Sequence, residues 1–155
     1  MPETPAGNRI AARGAVLAFD FGLARIGIAT GELETRTASP LLTLAHSPVD
    51  VRFATIAKLL AEWQPVMLVC GRPLGLDGEA DAMTQHCARF ANQLRGRFNL
   101  PVVEVDERLS SLAAEQLLVA SGQRDWRRRK DRLDAVAACV ILQTYLDGLP
   151  HEAQI

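Results

Sequence analysis

The stretch LAFDFGLARIGIAT, residues 17–30, predicts two short apolar strands joined by a turn that contains Gly22. Asp20 interrupts the apolar run near the end of the first strand. Because successive side chains of a strand point to opposite faces, Asp20 shares the face of Val16 and Ala18. A strand tip is where α/β sheets build their functional sites. Asp20 is therefore a candidate site residue, and hydrogen bonding to the turn is the alternative.

The pattern along the rest of the chain predicts a mixed sheet. Pro40, in the strand predicted over residues 37–44, favours an edge position for that strand. The run PVMLVCG, residues 65–71, is continuously apolar, as expected of a parallel strand buried on both faces. The order of strands and helices predicts an α/β fold with a five-stranded sheet flanked by helices. The other predicted elements are strands over 37–44 and 101–105 and helices over 51–63, 79–98, 112–121 and 131–147.

A second acid is expected at the end of the strand in VVEVDERLSS, residues 102–111. Alternation puts Glu107 on the face of Val103 and Val105, whereas Asp106 is expected to be solvated or to cap the next helix. An ordinary salt bridge of Glu107 with Arg108 or Arg25 is the alternative to a functional role.

A third acid is expected on the last helix. Helical spacing puts Asp134 on one face with the apolar residues Ala138 and Ile141. An inward carboxylate without a partner would cost several kcal/mol, and a cation would remove that cost. Asp131 lies on the same face and is not excluded, although a helix N-cap explains it. Asp77, between two glycines, is explained by turn chemistry.

Three carboxylates without a histidine or cysteine ligand suit a hard cation, Mg²⁺ or Mn²⁺. Two such ions about 4 Å apart would activate water and stabilise the leaving oxygen of a phosphodiester. Asp20, Glu107 and Asp134 are thus the candidate metal ligands and catalytic residues of a nuclease.

The three histidines form no HxH or HxxxH pair, and the cysteines are expected to be buried thiols: Cys70, Cys87 and Cys139.

Positive charge is concentrated in RDWRRRK, residues 124–130, although the formal net charge is only −1. This run is expected to form a loop next to Asp134 that holds a polyanionic backbone against the site. Trp126 can stack on an unpaired base or anchor the loop. A merely solvated loop is the alternative. The candidate nucleic-acid-binding residues are Arg25, Arg72, Arg124, Trp126, Arg127, Arg128, Arg129 and Lys130.

The length of 155 residues predicts one domain, residues 14–149, between a disordered leader at 1–13 and a tail at 150–155. No apolar run approaches the roughly 20 residues that cross a bilayer. The first residues lack the order of a signal peptide. A cytoplasmic protein without membrane contact is therefore expected.

Four motifs in register resemble the YqgF (RuvX) family of ribonuclease-H-like proteins, whose members are described as Holliday junction resolvases or pre-16S rRNA nucleases. The motifs are FDFGLARIGIAT, CGRPLGLDG, VDERLSS and LDAVAACVILQTYL, and the resemblance spans about Gly14 to Asp147. Each motif is weak alone, but the four in this order make a strong signal. The resemblance implies a ribonuclease H-like fold and a metal-dependent nuclease site.

The resemblance also implies which residues form that site. The acids of the family's motifs fall on Asp20, Glu107 and Asp134, rather than on Asp131. Two further motif residues are taken to support the ligands, Gly22 and Ser110. The family's G-x-P-x-x-x-x-G loop matches residues 71–78, where Arg72 replaces a residue that is more often apolar and either contacts phosphate or reaches solvent.

The function expected is processing of the 5′ end of precursor 16S rRNA, by a monomer or homodimer. One alternative is a Holliday junction resolvase, which must dimerise to make paired cuts in structured DNA. Another is an RNA- or ribosome-associated binding module with little catalysis. A protein kinase is excluded because no glycine-rich loop, lysine strand or H-R-D loop accompanies the Asp-Phe-Gly sequence. A sugar-kinase or actin type of ATPase needs two such halves, and this chain supplies one.

Overall fold

The hairpin at residues 17–30 forms the centre of a five-stranded sheet. The computed structural model describes residues 13–72, 82–106 and 126–150, and for 126–133 it describes the backbone alone. In these ranges the strands are β1 (Ala15–Phe21), β2 (Arg25–Glu32), β3 (Thr37–Ala45), β4 (Met67–Arg72) and β5 (Val102–Asp106). The helices are α1 (Val49–Trp63), α2 (Ala82–Phe98) and α3 (Trp126–Asp147).

The strand order is β3-β2-β1-β4-β5. β1, β2 and β3 are antiparallel neighbours, whereas β4 and β5 run parallel to β1. The prediction of a mixed five-stranded sheet flanked by helices is confirmed. β3, which contains Pro40, lies at an edge, and β4 is buried along nearly its whole length, as its continuous apolar run predicts.

Each face of the sheet carries its own hydrophobic core. Leu17 and Phe19 point to the face covered by α1 and α2, where the rings of Phe21 and Phe90 stack with centroids 4.8 Å apart. The alternate residues of β1 point to the other face, which α3 covers with apolar side chains that include Ala138 and Ile141. Period-2 alternation in β1 therefore divides the chain between two helical layers.

The last helix begins five residues earlier than predicted, at Trp126 instead of Asp131. The prediction that RDWRRRK forms a loop is therefore wrong from Trp126 onward. The run contains no glycine or proline, and arginine and lysine are good helix formers, so nothing stops the helix from extending into it. Asp131 lies inside the helix and is not its N-cap.

None of the described helices is long and apolar enough to cross a membrane. All three cysteines are free thiols, as predicted. Cys70 and Cys87 are buried, but the prediction of a buried thiol is wrong for Cys139, which is only partly buried. The helix predicted over 112–121 and Asp77 lie outside the described residues, as does most of the loop predicted at 71–78.

Candidate active site

Asp20 lies one residue before the end of β1 and is half-buried. It follows Val16 and Ala18 on the face covered by α3, as alternation predicts, and both of these residues are fully buried there. In the antiparallel ladder with β2, Asp20 is directly opposite Gly27. The carboxylate therefore stands at the end of the apolar core between the sheet and α3.

Gly27 allows the backbone of α3 to approach the sheet at this point. A Cβ atom at position 27 would overlap the carbonyl oxygen of Asp134. Because Gly27 is the strand partner of Asp20, this contact sets Asp134 above the pair that contains Asp20. Two of the three predicted ligands are thus brought to one end of one face by a residue that has no side chain.

Arg25 is the partner of Asp134. Its Nε donates a hydrogen bond to Asp134 Oδ2 at 2.5 Å, and the side chains are 29% and 24% exposed. Among the described residues Arg25 thus supplies a positive charge that offsets the cost of an inward Asp134, whereas the alternative salt bridge of Arg25 with Glu107 involves a residue outside the described ranges. Such a charge-assisted bond is stronger than one between neutral groups.

Gly22 sets the position of Arg25. Its N–H donates to the carbonyl oxygen of Arg25 at 2.9 Å, which closes the turn between β1 and β2. A Cβ at position 22 would lie 2.7 Å from that oxygen, so a side chain here would push the turn open. The glycine after Asp20 thus lets the next strand begin with its arginine at the candidate site.

β4 and β5 run parallel to β1, so the carboxyl ends of these three strands lie at the same end of the sheet. Arg72 and Asp106, the last residues of β4 and β5, are register partners and are both exposed. The predicted ligand Glu107 and the predicted supporting residue Ser110 lie outside the described residues. Asp20 and the α3 residue Asp134 thus lie on the same face of the sheet, on either side of Gly27, and the role of all three acids as ligands remains a prediction.

The donor set of this site fits a hard divalent cation. Asp20 and Asp134 offer carboxylate oxygens, the ligands that Mg²⁺ and Mn²⁺ prefer. Arg25 already places a positive charge beside Asp134, which shows that this position of the carboxylate accommodates a cation. Over the described ranges, no three histidine, cysteine, aspartate or glutamate side chains are close enough to hold a metal ion. A third ligand would have to come from outside those ranges, and Glu107 remains the predicted one.

Two of the candidate nucleic-acid-binding residues, Arg25 and Arg72, are described together with their side chains. Arg25 lies in the site itself, and Arg72 ends β4 at the same edge. The backbone of α3 carries residues 126–130 in its first turns, before Asp134. That segment holds Trp126, Arg127, Arg128, Arg129 and Lys130, and Arg124 precedes the described part of the chain.

Gly27 is the residue of this site that sequence reasoning missed. A glycine inside a strand often marks a close approach by another backbone, and the sequence RIGIAT, residues 25–30, carried that signal. Which backbone would approach could be learned only from the packing of α3.

Comparison with known proteins gives a consistent result. The profile of the RuvX family, described as Holliday junction resolvase, matches residues 14–148. A protein of Methylobacillus flagellatus, named "Putative pre-16S rRNA nuclease", is 54% identical over 149 residues, which cover 96% of this chain and 99% of that protein. A protein of Paraburkholderia phymatum with the same name is 50% identical over 137 residues, which cover 88% of this chain and 87% of that protein.

Two solved structures are similar in fold. RuvC of Thermus thermophilus, determined in complex with a Holliday junction substrate, aligns with a TM-score of 0.56 at 17% identity, over 85% of this chain and 93% of that one. The fowlpox virus resolvase, determined with Holliday junction DNA, aligns with a TM-score of 0.53 at 11% identity, over 86% of this chain and 97% of that one. At these identities the likeness is one of fold, and it agrees with the predicted ribonuclease H-like architecture.

Proposed function

This chain belongs to the RuvX family, and from that premise we propose that it is a metal-dependent nuclease that processes the 5′ end of precursor 16S rRNA. The names of its close relatives support the RNA substrate. The observation that carries the chemistry is the contact of Gly27 with the Asp134 backbone, which brings the Asp134 carboxylate to the strand pair that contains Asp20. We also propose that the protein acts in the cytoplasm.

Asp20, Glu107 and Asp134 are proposed to hold two Mg²⁺ or Mn²⁺ ions. When bound, such ions supply activation of water and stabilisation of the leaving oxygen in phosphodiester hydrolysis. The residues of this chain do the positioning. β1 carries Asp20, and the contact at Gly27 positions the helix that carries Asp134 on the same face, with the buried residues Val16 and Ala18 behind Asp20.

Arg25 has a second part in this proposal. Beside Asp134 its guanidinium can donate to a phosphate oxygen of the substrate, since it carries five N–H donors in a fixed fork and the ion pair is formed through Nε. The cations at 127–130, in the first turns of α3, attract the nucleic-acid backbone over a longer range. Whether cleavage is internal or proceeds from the 5′ end depends on how the strand leaves this site.

A Holliday junction resolvase is the second candidate, and the description of the family favours it. Paired cuts in a four-way junction need two sites, so this activity requires a homodimer, whereas end processing needs only a monomer. An RNA-binding module without catalysis is the third outcome.

The deciding experiment compares cleavage of a precursor 16S rRNA 5′ fragment and of a four-way DNA junction under the same Mg²⁺ concentrations. Asp20→Asn protein serves as the inactive control, and sedimentation gives the oligomeric state. We expect metal-dependent cleavage of the RNA by the parent protein and none by the variant. Cleavage of the junction alone, by a dimer, would support the resolvase, and binding without any cleavage would support the module.

A further inference from the structure

A groove of about 520 Å³ opens beside Arg25, between the edge strand β3 and α3. Ala135 of α3 and Arg25 of β2 line it. The opposite wall belongs to β3, with Pro40, Leu41, Leu42, Thr43 and Ala45. Its volume is within the range of about 300–1,000 Å³ that is usual for small-molecule sites.

The groove is continuous with the candidate active site. Ala45 is the register partner of Arg25, and Thr43 is the register partner of Gly27. Ala45 and Thr43 therefore lie beside the two β2 residues that contact Asp134. Arg25 contacts it through an ion pair, and Gly27 through the close approach of the Asp134 backbone. A nucleic-acid strand bound at Asp20 and Asp134 would pass into this groove as it continues toward β3, the edge strand of the sheet.

The chemistry of the lining suits a nucleotide. Arg25 provides a cation for a phosphate, and Pro40, Ala45 and Ala135 provide apolar surface for the face of a base, whereas Leu41 and Leu42 pack against the core on the opposite face of the sheet. In the described sheet β3 pairs with β2 on one side only, so its outer edge presents backbone N–H and C=O groups that can hydrogen-bond the edge of a base. A base inside a duplex has both faces covered by its stacked neighbours, so it could not lay a face on this surface.

We propose that this groove holds one unpaired nucleotide of the substrate strand, next to the phosphate that is cut. The inference rests on the proposed nuclease function and adds a requirement to it: the strand must be single-stranded at that position. The basic run at 127–130 belongs to the same helix, α3, and lies five to eight residues before Ala135 in the sequence.

The test fills the groove without adding charge or an aromatic ring. Ala45→Ile is suitable, because Ala45 is exposed and a β-branched residue is favourable in a strand. Ser39→Ile is the matched control, since Ser39 is also exposed on β3 but does not line the groove. Binding of a short fluorescent single-stranded RNA is measured by anisotropy with Ca²⁺ in place of Mg²⁺, for intact RNA and for RNAs with one abasic ribose at each position in turn.

For the parent protein we expect one abasic position to weaken binding about tenfold, which corresponds to about 1.4 kcal/mol. Ala45→Ile should weaken binding of intact RNA by a similar factor and should make the protein insensitive to that abasic position, whereas Ser39→Ile should behave as the parent does. Circular dichroism of both variants verifies the fold. If no single abasic position matters to the parent, or if Ala45→Ile retains the parent's sensitivity, the groove is not a nucleotide site.

These outcomes are separable from the proposed function itself. A parent protein that binds and cuts RNA but shows none of the abasic or groove effects overturns the groove alone. A parent protein that neither binds nor cuts RNA overturns both.

Discussion

Gly27 on β2 lies against the carbonyl oxygen of Asp134 on α3, so the helix that carries one candidate ligand rests on the strand paired with another. Replacement by alanine adds a methyl group where the α3 backbone already lies. Gly27→Ala should lower the free energy of unfolding by about 1–3 kcal/mol, the usual cost of overpacking, and should also reduce cleavage because Asp134 is displaced. Thermal unfolding and cleavage of the same preparations measure both effects.

Gly96→Ala is the matched control for that substitution. Gly96 lies in α2, and a Cβ there would meet nothing within 4 Å. Alanine should therefore stabilise the helix by roughly 0.5–1 kcal/mol and leave cleavage unchanged. An equal loss of stability in both variants would contradict the close contact of Gly27 with α3.

Asp20→Asn and Asp134→Asn should each abolish Mg²⁺-dependent cleavage, because each removes a carboxylate charge and keeps the side-chain shape. Asp134→Asn should in addition lower the metal-free stability by about 1–2 kcal/mol, since Arg25 loses its charged partner. Cleavage assays and thermal unfolding without metal are the measurements.

Asp131→Asn is the control for these two substitutions. Because Asp131 lies inside α3 and not at its start, no helix cap is lost and the effect on stability should be small. If Asp131 proves essential and Asp134 dispensable, the assignment of the third ligand is wrong by one helical turn.

Arg25→Gln should strengthen the response of the protein to divalent cations. Without the guanidinium, the Asp134 carboxylate loses the cation that pairs with it among the described residues, so a bound metal ion is attracted to it more strongly. The variant should unfold at a lower temperature than the parent without metal and should show a larger rise in that temperature with Mn²⁺. Binding of RNA in Ca²⁺ should weaken, because a phosphate donor is lost.

Arg95→Gln serves for comparison. Arg95 pairs with Glu104 at 3.4 Å between α2 and β5, on the other side of the sheet. Its loss should leave the response to Mn²⁺ unchanged. A Mn²⁺ response of Arg25→Gln smaller than the parent's would show that Arg25 supports the ion and does not compete with it.

Replacement of Arg127, Arg128 and Arg129 by alanine should weaken RNA binding at low salt and flatten its salt dependence. Each phosphate contact that is lost reduces the slope of log K against log salt by about 0.7 for a single strand. Alanine preserves the helix that this segment forms, so the melting temperature should barely change. Lys58→Ala, an exposed cation on α1, is the control. Parallel salt slopes for the triple variant and the parent would mean that the run is only a solvated part of the helix.

Tyr145, the only tyrosine of the chain, should ionise above its usual range. Burial raises the pKa of its hydroxyl, which lies 3.7 Å from Met67 Sδ. Since the neutral form is favoured in the folded state, this contribution to stability is complete below about pH 10 and is lost as the pH rises through the folded-state pKa. Tyrosinate absorbance should show a higher midpoint in native protein than in urea-unfolded protein, and equal midpoints would contradict the burial of this side chain.

Much of the fold can be predicted from local patterns. Alternation in β1 identifies the face of Asp20, and the continuous apolar run of β4 identifies a buried parallel strand. Pro40 in β3 identifies an edge. These signals are readable because a strand's side chains alternate over a few neighbouring residues, whatever lies across the sheet.

The partner of Asp134 could be decided only by the tertiary structure. Arg25 is 109 residues away in the sequence, and no periodicity links the two positions. The start of α3 differs from the prediction for a related reason. The charge of the run favours a loop, but a run without glycine or proline extends a helix once the helix is docked on the sheet. The sequence by itself determined which residues could be ligands and which face each would take. Their assembly into one site depends on the docking of α3 over Gly27, because long-range contacts are set by packing and not by local pattern.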